Sequence, residues 1–197
     1  MPFYVNALGG VSTRMVHMAH TDTGPVGTLM TVIGQLLDPQ VSRKFHGHII
    51  VSSGGDETRY EVWADPETGC WESVDHAAGI RDVYNPIDGL LLTSPGQRDE
   101  EDVDRGTVEN MPAHLGLFFP LRMGIWSRSR DRWRMTGATT GADGRTVVGL
   151  QALDDNSQGS LTVTTDGVPV LFREPEQDIV LEMHEAFGGR PDFWWKK

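Results

Sequence analysis

The stretch "FHGHIIVSSGGDETRYEVWA", residues 45–64, decides how this chain folds. Taken two residues at a time, Phe45, Gly47, Ile49 and Val51 fall on one face, and His46, His48, Ile50 and Ser52 on the other. Ser53-Gly54-Gly55-Asp56 then supplies a tight turn, and Thr58 to Ala64 reads as a returning strand. This is an antiparallel hairpin with one apolar face and one polar face.

The same period continues downstream. "CWESVD" (70–75), "IRDVYNP" (80–86) and "GLLLTSP" (89–95) are short strands separated by Asp-Pro, Gly and Asn-Pro punctuation. The last third returns to strands with "RWRMTGATT" (132–140), "RTVVGLQALD" (145–154), "GSLTVTTDGVPVLFRE" (159–174) and "QDIVLEM" (177–183). Asp143-Gly144 and Asp166-Gly167 are hairpin turns. Upstream, "TGPVGTLMTVIGQLLDP" (23–39) switches to helical spacing, with Val26, Leu29, Met30, Ile33, Leu36 and Leu37 forming an apolar stripe. Pro25 suits the first helical position, and Asp38-Pro39 ends the helix because a residue before proline is driven from the helical region.

Between the two sets of strands lie "GQRDEEDVDRGTVEN" (96–110), read as a solvated acidic loop, and "LGLFFPLRMGIW" (115–126), read as a proline-broken helix or helix pair. The predicted order is therefore helix, five strands, helical insert and four strands, without an internal repeat. This gives a mainly β fold with some α: a curved antiparallel sheet, an incomplete β-barrel, with helices covering its concave face. The organisation is an N-terminal arm (1–22), a single half-barrel domain (23–185) and an aromatic tail (186–197) ending in "DFWWKK".

These pieces resemble the LolA/LppX-type lipoprotein-carrier fold family, in particular its uncharacterised actinobacterial branch. The matching residues are the leading helix running into "FHGHIIVSS", then "TRYEVWADPETGCWESV" (58–74), "LGLFFPLRMGIW" and "WRMTGATTGADGRTVVGLQAL" (133–153). The resemblance spans roughly residues 25–183. It implies a half-barrel whose concave face, lidded by helices, holds an acyl chain or another apolar ligand.

Composition narrows the function. Of the 197 residues, 38% are hydrophobic and 23% charged, and the 23 glycines and 11 prolines favour a turn-rich β fold. A net charge of −11 without a Lys/Arg cluster argues against nucleic acid. Cys70, the only cysteine, excludes an intramolecular disulfide and a cysteine-based zinc site, which fits a reducing compartment. No apolar run is long enough to span a bilayer. No secretory signal is visible, so the chain as written is expected in the cytoplasm, or in the cell envelope if a leader has been removed.

His46 and His48 share a strand face and together could chelate a metal, but the glutamate that cupin-type sites place a few residues on is replaced by Ile-Ile-Val-Ser-Ser. The pair is read as the wetter face of the strand, and a metal-dependent enzyme built on it is the weakest alternative. "MVHMAH" (15–20) gathers soft ligands without repeating the pattern. No phosphate loop, nucleophile elbow, dinucleotide fingerprint or H-E-x-x-H is present, and no spacing selects an acid–base pair among Glu61, Glu72 and Asp75. The expectation is a non-enzymatic module without a cofactor. It would hold an apolar small molecule or lipid among Trp63, Trp71, Leu117, Phe118, Leu121, Ile125, Trp126 and Trp133, under a movable lid formed by residues 115–126. The alternative is a regulatory module that docks a partner protein through the sheet or the aromatic tail.

Overall fold

The computed structural model describes residues 24–38, 44–101 and 111–186. The predicted arm, the "MVHMAH" run and nearly all of the aromatic tail lie outside these residues. Helix α1 (Gly24–Leu37) precedes β1 (Phe45–Ser53), β2 (Asp56–Asp65), β3 (Cys70–Asp75), β4 (Ile80–Asn85), β5 (Gly89–Ser94) and β6 (Gln97–Glu101). Two 3-10 turns, Ala113–Leu117 and Pro120–Arg122, lead to β7 (Trp133–Thr140), β8 (Thr146–Ala152), β9 (Gln158–Val163), β10 (Pro169–Glu174) and β11 (Gln177–Ala186).

All eleven strands form one open antiparallel sheet in the order β6-β5-β4-β3-β2-β1-β11-β10-β9-β8-β7. The chain meanders outward from the centre to one edge, crosses to the opposite edge, and meanders back until β11 pairs with β1. Laid flat, such a sheet would be about 48 Å wide. Yet Leu90 on β5 and Ala138 on β7 belong to one continuous apolar cluster, so the sheet curves around its contents.

The strand count differs from the sequence reading at two places. Gln97–Glu101 extends the meander out of the supposed acidic loop, and its charged residues suit an edge that must not recruit another strand. The hairpin turn expected at Asp166-Gly167 separates β9 from β10, with Gly167 at φ 85°, so residues 159–174 count as two strands rather than one.

The connections β2–β3, β3–β4 and β4–β5 reuse one device at ten-residue intervals. Asp65, Asp75 and Asn85 each accept, at Oδ1, a backbone N–H two residues on, at 2.9–3.1 Å. Gly69, Gly79 and Gly89 then take the positive φ that starts the next strand. This Asp/Asn-x-x-x-Gly recurrence is a short internal repeat that the hydrophobic pattern conceals.

The hairpin of residues 45–64 has its expected register, with Phe45 opposite Ala64 and His48 opposite Glu61. Phe45, Ile49 and Val62 are buried on the concave face, and His46, His48, Glu61 and Trp63 share the convex face.

Helix α1 packs against β7 and the Pro120–Arg122 turn. Its buried residues are Val32 and Leu36, with Leu29 packed beside them, whereas Ile33 is half-buried and Val26, Met30 and Leu37 face outward. The inward stripe is thus rotated from the predicted one, because β7 meets the helix on one narrow side. Leu36→Ala should cost about 2–5 kcal/mol in urea unfolding, and Ile33→Ala distinctly less. Equal costs would contradict this orientation.

Candidate functional site: a filled concave face and a histidine groove

In the connection from β6 to β7, the described residues 111–126 lie over the concave face, and their apolar side chains other than Leu121 face the sheet. Leu115, Leu117, Phe118, Phe119 and Ile125 are buried in the same cluster as Trp71 on β3 and Trp133 on β7. The Phe118 ring lies 5.4 Å from Phe45, Trp71 stacks on Tyr84 at 6.0 Å, and Trp133 meets Phe172 edge-on at 6.3 Å. Tilted, offset and edge-on arrangements of this kind are the favourable ones for packed aromatic rings.

Six of the eight expected ligand residues are therefore gathered on this side of the sheet, where they pack against one another. They are Trp71, Leu117, Phe118, Ile125, Trp133 and the half-buried Trp126, whose indole N–H donates to Pro120 O at 2.8 Å. The other two lie elsewhere. Trp63 is on the convex face, stacked on His46 at 4.6 Å, because it is an odd number of residues from the inward Val62 and Ala64. Leu121 points outward from its 3-10 turn and is 56% exposed.

The crossing segment is fastened at both ends. At its start, buried His114 hydrogen-bonds the Ser73 hydroxyl at 2.8 Å and stacks on Tyr60 with centroids 4.0 Å apart. Burial pushes the His114 pKa down to about 4, so the ring is neutral at pH 7. At its end, Arg128 donates to Leu121 O at 3.0 Å and Met123 O at 2.8 Å. Asp131 in turn accepts from Arg128 and from the Trp126 backbone N–H. Burial would raise the Asp131 carboxyl, but these bonds outweigh it and hold the group below its usual range. Trp133 N–H donates to Gly124 O at 3.0 Å, joining the segment directly to β7. Pro120, Gly116 and Gly124 shape a plug fitted to the sheet: a Cβ at Gly116 would come within 3.3 Å of Met123.

An open groove of about 800 Å³ lies at the far end of β2 and β3. It is lined by His48, Glu57, Thr58, Arg59, Glu61, Asp75, His76, Ala77 and Ala78. At its inner end the Glu61 carboxylate is clamped between two imidazoles, with Oε1 2.9 Å from His46 Nε2 and Oε2 2.7 Å from His76 Nε2. Burial would raise the Glu61 pKa, but the bonds to His76 and His46 prevail and lower it, so the group stays anionic. His48 Nδ1 is buried without a hydrogen-bond partner. Arg59 is engaged by Glu182 at 2.6 Å. Among the described residues no three His, Cys, Asp or Glu side chains are arranged to hold a metal.

The three acidic residues singled out in the sequence have separate partners. Glu61 takes the two histidines, Glu72 takes Arg81 at 2.6 Å, and Asp75 caps its turn. His76 and His114 have no visible role in the sequence: each is a lone histidine, and its partner is 15 or 41 residues away, brought near by the β2–β3 register for His76 and by the 3-10 turn lying over β3 for His114.

Comparison with known proteins bears on the fold. No protein-family model and no curated protein matches the chain. Among solved structures it is similar to an uncharacterised conserved protein from Thermus thermophilus. That match has 10% identity and a TM-score of 0.51, and covers 85% of this chain and 96% of that one. MucB is a looser match at 14% identity and TM-score 0.47, covering 86% of this chain and 62% of MucB. The Pseudomonas aeruginosa MucA/MucB complex matches at 15% identity and TM-score 0.39, over 82% of this chain and 58% of that one. At 10% identity the likeness to the Thermus protein concerns the fold alone. Among the described residues no helix is long and apolar enough to cross a membrane.

Proposed function

We propose that this chain is a non-enzymatic interaction module of the lipoprotein-carrier-like half-barrel type, and that it binds a polypeptide partner at its convex rim. The observation that carries this reading is the groove. It is open, large enough to admit a few residues of a chain, and lined by carboxylates, imidazoles and two alanines. The apolar surface that would otherwise suit a lipid is occupied by the protein's own residues 113–126. In a protein of net charge −11, with Glu57, Glu61 and Asp75 in the groove and Arg59 already paired, a partner bearing cationic side chains fits best.

The test is photo-crosslinking in the native host from benzoylphenylalanine placed at Glu57, with Thr139 on distant β7 as control. A discrete protein adduct at position 57 and none at 139 is the expected result. Absence of an adduct, together with a lipid retained in the native mass spectrum of the purified protein, would reject the reading in favour of an apolar ligand.

A further inference from the structure

The convex face of the sheet is wet at one place and dry at another. On β8, Val147 points outward and is 44% exposed, as a solvated sheet face allows. On β3, β4 and β5 the cross-strand row Glu72, Val83 and Leu91 also points outward, opposite in parity to the inward Trp71, Tyr84 and Leu90. Yet these three are 3%, 0% and 4% exposed, and Val83 and Leu91 form an apolar cluster separate from the core. Half-buried Trp63 continues the row on β2, and Cys70 is buried on the same face two residues before Glu72. One oxygen of Glu72 accepts from Arg81, while the other, Oε2, is buried without a hydrogen-bond partner among the described residues.

A sheet does not hide three successive outward side chains by itself. The chief contacts of β4 are with β3 and β5, and those of β5 with β4 and β6, all within the sheet. The burial is present in a single copy of the chain, so the cover comes from this chain's remaining residues. Residues 102–110 lead from β6 to the concave-side turn Ala113–Leu117, and their Asp102, Asp104 and Glu109 against one arginine would set like charges beside Glu72. Residues 1–23 lead into α1, which packs on β7 at the far edge of the sheet. Residues 187–197 instead follow β11, whose last residue, Ala186, pairs with Phe45. That pair lies in the cross-strand row of Ala64, Trp71, Tyr84 and Leu90, immediately beside the covered row.

We infer that the segment 187–197, "FGGRPDFWWKK", docks back across the convex face and lays Phe193, Trp194 and Trp195 on Val83 and Leu91. The reach suffices. Val83 on β4 is four strands from β11 in the sheet order, about 19 Å at the usual strand spacing. Residues 187–193 alone extend up to about 23–25 Å. Gly188, Gly189 and Pro191 let the chain leave the direction of β11. The chemistry suits the surface as well. Three adjacent aromatics match a small apolar patch, an indole N–H can donate to the unsatisfied Oε2 of Glu72, and Arg190, Lys196 and Lys197 bring cations to a chain of net charge −11. The inference does not rest on the partner groove, which lies toward the other end of β2 and β3.

Benzoylphenylalanine in place of Trp195, irradiated in dilute solution of the purified full chain and mapped by mass spectrometry, tests it. The expected adduct lies on β3, β4 or β5 of the same molecule. An adduct of dimer mass, an adduct elsewhere in the chain, or none would overturn the inference. Cys70, the only cysteine, supplies a second readout, because it is buried on the covered face. In the triple variant Phe193→Ser, Trp194→Ser, Trp195→Ser its thiol should react with Ellman's reagent about tenfold faster or more, as a buried group does when its cover opens. Circular dichroism verifies that the variant is folded. Met30→Ser, at an exposed position on α1, should leave the thiol rate unchanged. A rate in the triple variant equal to that of the wild type would contradict a docked tail.

Discussion

Between pH 7 and pH 4 the protein is expected to lose about 3 kcal/mol of stability through His114 alone. The ring is neutral in its buried place at the start of the crossing segment, against Ser73 and Tyr60, with a pKa lowered from 6.5 to about 4 by desolvation. The unfolded chain therefore binds this proton more readily than the folded one. The contribution is complete above about pH 6.5 and is lost as the pH falls towards 4. Glu61 and Asp131, whose folded pKa values are lowered, add losses at more acidic pH. Glu72, Asp82 and Glu174, raised by burial, act in the opposite sense. These groups are common to wild type and to His114→Gln, a replacement that still offers Ser73 a hydrogen bond. Urea unfolding of both proteins across this range isolates the histidine. The variant's stability should fall with acid by about 3 kcal/mol less than the wild type's. Parallel curves would mean that His114 titrates as it does in water.

Phe118→Ala should be comparably costly, at about 3–5 kcal/mol by the usual range for truncating a core aromatic. The ring is buried, packs on Phe45 and sits where the crossing segment meets the sheet. Leu121→Ala, three residues away in the same apolar run, should change stability by only about 0.5 kcal/mol or less, as surface substitutions do. That side chain already faces out. Chemical denaturation of the two variants decides whether residues 115–126 act as one greasy unit or as a plug with an inside and an outside. Similar losses for both would contradict the plug.

Much of this architecture could be read from alternation alone. A hairpin whose inner face is Phe45, Ile49 and Val62 has one sensible register, and the downstream strands follow from the same period of two. The helix was legible as an element, but its orientation was not. Its composition offers apolar residues on most sides, so only the contact with β7 chooses Leu29, Val32 and Leu36 over the outward stripe. Strand β6 was hidden because its residues are charged, as an edge requires. The Asp65, Asp75 and Asn85 turns were visible only by counting to the glycine four residues after each.

The candidate site was less legible still. Trp63 and Trp71 look alike in the sequence, but the parity of the strands places them on opposite faces. Glu61 acquires its two histidines from β1 and from the turn after β3, and His114 acquires Ser73 from 41 residues away. Pairings of that kind depend on long-range register, which local periodicity does not contain.

Hydrogen exchange across residues 111–126, with and without oleate, separates a fitted plug from a movable lid. If the segment is a fitted plug, its hydrogen-bonded amides, such as those of Leu115, Phe118 and Arg122, exchange about as slowly as those of β1 and β11, and oleate leaves them unchanged. Rapid exchange in the protein alone, slowed markedly by oleate, would show a lid closing over an apolar ligand and would contradict a concave face filled by the protein itself.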